Sequence, residues 1–135
     1  MKLRDIKYLL NEVRKVKTVK EVSFEGGEPF LYYPIMVRAV EEAVKLGFEV
    51  EIVTNCYWAC SLEDALEWLK PFAEMKRISL SLSSDYFHGE KWITEEVENA
   101  VKAAKQLRIP AIVLAISNLE VEEKCPKEVL GIQVD

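Results

Sequence analysis

Arg77-Ile78-Ser79-Leu80-Ser81-Leu82-Ser83 is the stretch that decides the fold. It alternates with the period of two of a β-strand, so Ile78, Leu80 and Leu82 share one face while Ser79, Ser81 and Ser83 share the other. On either side of it helix-like and strand-like segments take strict turns, the pattern of parallel strands joined by right-handed crossovers. A parallel sheet with helices on both sides reads apolar on both faces, and this strand does not. Helices are therefore expected on the outer face only, as in the wall of a (β/α) barrel, with small polar side chains looking inward. A full eight-unit barrel needs about 200 residues or more. The 135 residues here supply four strands with room for a fifth, so the expected architecture is one α/β domain over residues 1–135 shaped as a half-barrel.

The neighbouring segments follow the same logic. Ile6, Leu9, Leu10, Val13 and Val16 recur at helical spacing over residues 2–17, and residues 19–25 form a first strand. Pro34 suits the first turn of a second helix, lined by Met36, Ala39, Val40, Ala43 and Val44 and closed by Gly47. Residues 48–54 alternate as a second strand. Ser61 can cap a third helix, with Asp64 in the reciprocal position, up to Pro71. Thr94 can cap a fourth, with Val97, Ala100, Val101, Ala104 and Leu107 on one side, and residues 111–116 make the fourth strand. Beyond Asn118 the pattern gives way to an acidic tail over residues 118–135, with a short last strand at Val129–Val134. An open arc leaves edge strands without partners, which predicts a homo-oligomer or a partner chain completing the barrel, or a C-terminal segment folded back over the opening.

Composition narrows the function classes. With a net charge of −5, nothing recommends nucleic acid or an anionic membrane as partner. No apolar run approaches the roughly 18 residues of a membrane span, and Met1-Lys2-Leu3-Arg4-Asp5 lacks the apolar core of a signal peptide, so the expected location is the cytoplasm. Cys56, Cys60 and Cys125 are an odd set expected to stay thiols. Many Glu and Lys beside few Gln and Gly suit a heat-adapted organism.

Ligands of parallel α/β architectures gather at the carboxyl ends of the strands, and the unusual sequence lies there. The first strand runs into Gly26-Gly27-Glu28-Pro29, where adjacent glycines allow positive φ and close backbone approach while Pro29 holds Glu28 extended. The second ends in Thr54-Asn55-Cys56-Tyr57-Trp58-Ala59-Cys60, and the third in Ser83-Ser84-Asp85-Tyr86-Phe87-His88-Gly89-Glu90. His88, beside Asp85 and Glu90, is a candidate acid or base, although a lone loop histidine is more often a surface or capping residue.

Gly26-Gly27-Glu28-Pro29, Thr54-Asn55 with Tyr57-Trp58-Ala59, and Ser81-Leu82-Ser83-Ser84-Asp85 together resemble the radical S-adenosylmethionine (radical SAM) superfamily. The resemblance runs from about Lys2 to Asn118. It implies S-adenosylmethionine as the ligand, with Gly26, Gly27 and Glu28 gripping its methionyl amino group. It also implies Asn55, Ser81 and Ser83 approaching ribose and carboxylate. Members carry CxxxCxxC before the first helix, where three thiolates hold three irons of a [4Fe-4S] cluster and the cofactor chelates the fourth. That motif is absent from these 135 residues, with Met1 falling just after its expected place. Cys56-x3-Cys60 has the first spacing, but Glu63 occupies the next required position, and Cys56 stands where relatives have the glycine of a TNG turn. No metal ligands are therefore assigned, although Cys56, Cys60 and Cys125 could in principle converge.

Three readings stay open. The chain is a piece of a radical SAM enzyme that retains the S-adenosylmethionine loop but cannot cleave the cofactor alone. It is a cluster-less relative that binds a small adenosyl or amino-acid ligand, or only a protein. Or it is another half-barrel, a phosphate-binding or structural module. The substrate and the oligomeric state are not legible.

Overall fold

A computed structural model describes residues 1–85, 93–116 and 126–135. His88, Glu90, Asn118, Cys125 and the acidic segment 120–124 lie outside them. The elements run α1 (Leu3–Arg14), β1 (Glu21–Phe24), a 3-10 turn (Pro29–Tyr32), α2 (Tyr33–Lys45), β2 (Glu49–Thr54), α3 (Leu62–Ala73), β3 (Ile78–Asp85), α4 (Glu95–Gln106) and β4 (Ala111–Ile116). A short pair, β5 (Glu128–Val129) and β6 (Ile132–Gln133), follows. The main sheet has the order β1-β2-β3-β4 with every pair parallel, which is the strand order of a barrel wall.

The two faces of the sheet differ as the serine alternation requires. Val50, Ile52, Ile78, Leu80, Leu82 and Val113 are buried with the apolar faces of the helices, in one core that includes Leu10, Val40, Leu69, Phe72, Val97 and Val101. On the other face Glu51, Val53, Ser79, Ser83, Ile112 and Leu114 remain only half-buried. The α/β partial barrel, with helices outside, is thus the observed fold. Ser61 and Thr94 cap α3 and α4 by accepting the amides of Asp64 and Val97. At the former end the Ser61 hydroxyl also donates to the Asp64 carboxylate, at 2.8 Å.

Several boundaries depart from expectation for identifiable reasons. Helix α1 stops at Arg14, and residues 15–19 turn instead, with Val16 half exposed. Helix α3 continues past Pro71 to Ala73: the fixed φ of proline is itself helical, so the chain carries on for two residues although the bond to the preceding turn is lost. Helix α2 opens at Tyr33, with Pro34 in its first turn as expected, and the residues before it form a 3-10 turn opened by Pro29. The single last strand expected over 129–134 is an antiparallel hairpin, since Leu130 and Gly131 both take positive φ, the geometry of a two-residue turn. Its end returns to the main sheet: Val134 bridges Val113 in parallel, the Asp135 amide donates to Val113 O (2.9 Å), and the Ala115 amide donates to Asp135 O (2.8 Å). The tail thus begins a fifth parallel position on the β4 edge.

Candidate functional site

The carboxyl end of β1 delivers Gly26 and Gly27 at φ +86° and +59°. Both values belong to the left-handed region that a side chain makes costly. A Cβ built on either glycine would meet no atom within 4 Å, so the loop presents bare backbone to open space. The glycines are therefore required by the chain path and not by crowding from the protein.

Glu28 turns the other way. Its side chain is buried, and its Oε1 accepts from the Phe30 amide (3.1 Å) and the Thr54 hydroxyl (2.8 Å), while Oε2 accepts from the Asn55 amide (2.8 Å). The acid stitches the glycine loop to the end of β2. Thr54, also buried, completes the joint: its hydroxyl oxygen donates to Glu28 and accepts from the Cys56 amide (3.2 Å) and Trp58 Nε1 (2.9 Å). Beneath lies an aromatic floor, with Phe30 stacked on Trp58 at 4.5 Å between centroids and Tyr33, Trp68 and Phe72 around it. Such a stack adds about 0.5–1.5 kcal/mol beyond its buried area. From α4, buried Asn99 donates to the Ala59 carbonyl at 3.1 Å, anchoring the far end of the same loop.

The remaining sequence candidates fall at two levels. Asn55 is exposed on the rim, its Oδ1 accepting the Tyr57 amide at 3.1 Å. The register pairs Thr54 with Leu82, which sets Ser83 at the level of Asn55. Ser81 pairs with Val53 deeper on the concave face, where its hydroxyl donates to Glu51 Oε1 at 2.5 Å and is covered. Gly26, Gly27, Glu28 and Asn55 therefore form one joined rim, Ser83 stands beside it, and Ser81 lies below. Sequence reading gave no role to the Thr54 hydroxyl, Trp58, Phe30, Asn99 or Glu51. Thr54 carried a signal, being the one polar residue in the helix-facing series Val50, Ile52, Thr54.

The residues fit the two parts of the expected cofactor differently. The open glycine backbone suits a ligand that needs close approach, and Gly26, Gly27 and Asn55 would hold it. For a cluster, the described residues do not fit: they contain no group of three His, Cys, Asp or Glu side chains able to hold a metal ion. Cys56 is fully buried, and burial first, then the charges of Glu28 and Glu96, push its thiol far above the usual range. It is a neutral packing group. Its φ of +64° matches the glycine it replaces in the expected TNG turn. Cys60 is exposed, its thiol turned to the Tyr57 carbonyl at 3.4 Å.

Two outcomes follow from this contrast. In a Cys125→Ala background, native protein at pH 8 is expected to lose one thiol to iodoacetamide, Cys60, with Cys56 reacting only in denaturant; mass spectrometry after timed quenching checks it. Stability is also expected to fall on the alkaline side. The unfolded Cys56 thiol ionises near its ordinary value of about 9 while the folded one stays neutral, so its contribution is complete below that pH and is lost as pH rises above it. The loss approaches ~1.4 kcal/mol per pH unit for one such group. Tyr33, raised by partial burial and by Glu67, adds in the same direction above its usual 10.0. Urea unfolding from pH 7 to 10 should show the decline, and Cys56→Ser should reduce it.

The profile of the radical SAM superfamily matches residues 1–127, and the chain belongs to that superfamily. Among curated proteins it is similar to the "Putative peptide biosynthesis protein YydG" of Bacillus subtilis (strain 168). The two are 23% identical over 125 residues, covering 93% of this chain and 39% of the relative, so the chain spans about two fifths of that protein's length. Among the described residues no helix is long and apolar enough to cross a membrane.

Proposed function

We propose that this chain is the S-adenosylmethionine-binding wall of a radical SAM protein. The observation that carries the reading is the paired glycine backbone at positive φ, open on its ligand side and locked to β2 by both oxygens of Glu28. A backbone held this rigidly can receive an ammonium group on its carbonyls, or a carboxylate on its amides, with little ordering cost. Asn55 and Ser83 line the same rim toward the ribose side, and Ser81 supports it from below.

An iron-sulfur cluster beside the bound cofactor would supply the electron that enters its sulfonium. This chain's own part is to bind and orient. The described residues offer no thiolate set for iron, so cofactor cleavage depends on ligands contributed from outside them. The β1 edge has no partner among the described residues, and in this reading strands from outside them, such as those of a second copy or another chain, complete the barrel there. The relative's name as a peptide biosynthesis protein motivates a peptide as the substrate class, and the reading puts the protein in the cytoplasm. That the described residues hold no metal-binding group favours one alternative, a non-catalytic half-barrel that binds a ligand or a protein.

The test is a titration of ¹⁵N-labelled protein with S-adenosylmethionine. Saturable shifts confined to the amides of Gly26, Gly27, Asn55 and their neighbours support the reading. Shifts spread over the helices, or none at millimolar ligand, contradict it.

A further inference from the structure

Glu51 sits in the middle of β2 on the concave face, a place where parallel sheets rarely keep an acid. Its neighbours on both sides of the strand, Val50 and Ile52, are buried in the core, so the glutamate is not there through slack patterning. Two other strands hold its carboxylate. Ser23 of β1 donates to Oε2 at 2.9 Å, and Ser81 of β3 donates to Oε1 at 2.5 Å.

The register gives the direction in which it leans. Glu51 pairs with Ser23 and Ser79 at its own level, whereas Ser81 pairs with Val53, two residues nearer the strand ends. The side chain reaches diagonally toward the rim that carries the glycine loop. Beside it and toward the rim the inward positions are Val53, Ser79, Ser81, Ser83, Ile112 and Leu114, small or apolar and uncharged, while the acids Glu21 and Glu49 lie one step below on the same face. No Lys or Arg of the described residues pairs with it, although Glu49, the next inward acid below, is paired with Arg77 at 3.3 Å. Both hydroxyls donate, which fixes the carboxylate without neutralising it, and each oxygen keeps a further lone pair for an incoming donor.

We propose that Glu51 is the recognition point for a cationic nitrogen of a second ligand, an ammonium or guanidinium such as a lysine or arginine side chain of a peptide carries. A carboxylate on a concave wall, with no cation paired to it among the described residues, attracts a cation, and a charge-assisted hydrogen bond to it is stronger than one between neutral groups. The strand bears an acid against its local preference, the kind of departure expected at a binding site. The proposal rests on the reading of the rim as a cofactor site, because that reading makes the concave face the place where a substrate lies.

The experiment titrates the ¹⁵N-labelled full chain with N-acetyl-lysine methylamide and, separately, with its uncharged norleucine analogue. The ammonium probe is expected to give saturable shifts at Ser23, Glu51, Val53 and Ser81, and the norleucine probe none there. Glu51→Gln, which keeps the size of the side chain, should weaken the response by about tenfold or more, and Ser81→Ala, which keeps the charge, should retain most of it. Equal shifts from both probes, or undiminished binding in Glu51→Gln, would overturn the proposal and leave the carboxylate as a clamp between strands. S-adenosylmethionine is titrated alongside. Unchanged cofactor affinity in Glu51→Gln supports a separate second site; loss of both responses in that variant overturns it. Failure of the wild type to bind S-adenosylmethionine counts against the rim reading alone, because the lysine probe reads Glu51 without it.

Discussion

Replacing Glu28 with alanine is expected to remove about 3–4 kcal/mol of unfolding free energy, the largest loss of any single rim substitution. Three donors lose their acceptor together: the Phe30 amide, the Thr54 hydroxyl and the Asn55 amide. The Phe30 amide and the Thr54 hydroxyl lie where water reaches poorly, so these two are left short of partners and not simply resolvated, while the Asn55 amide is part-buried. Glu28→Gln tests the mechanism more finely. Its amide oxygen can still accept from Phe30 and Thr54, but its NH2 group then faces the Asn55 amide, donor against donor. About 1–2 kcal/mol should be lost. Urea denaturation of the three proteins measures the series. A Glu28→Ala protein within ~1 kcal/mol of wild type would mean that the joint is not the structural tie described here.

The second large effect falls on binding. Gly27→Val is expected to abolish S-adenosylmethionine binding, weakening it by about a hundredfold or more, while the protein stays folded. Valine at φ +59° costs about 1–2 kcal/mol of backbone strain, but its Cβ would collide with nothing in the protein. The branched side chain instead fills the space where the ligand must approach. This separates the two functions of the rim: Glu28 variants are read mainly in stability, Gly27 variants mainly in affinity. Gly27→Ala should fall between, since it carries the strain with less bulk.

The serine alternation of β3 was enough to read a one-sided sheet, because burial on a strand follows its period of two directly. Ser61 and Thr94 announced their helices for an equally local reason: a hydroxyl before a helical run has an amide to accept. The glycine pair and Pro29 likewise encoded their backbone path in the residues themselves. What stayed hidden depends on contacts between segments far apart in sequence. Glu28 reads as an acid in a loop, and only the pairing of β1 with β2 brings Thr54 and Asn55 to it and turns it inward. Asn99 lies on an apolar helix face, where no local rule says that a carbonyl forty residues earlier needs a donor. Glu51 looks like the polar half of an ordinary alternation until Ser23 and Ser81 are seen on either side. The terminal hairpin was read as one strand because Leu130 gives no sign of the positive φ that the turn imposes on it.

The central claim is that the glycine loop is a working cofactor cradle, and anaerobic calorimetric titration with S-adenosylmethionine, run beside an iron assay on wild type and Gly27→Val, tests it most directly. The account predicts micromolar binding to wild-type protein without iron, and no detectable heat from a folded Gly27→Val protein. No binding to wild type, or equal binding to both, would contradict it.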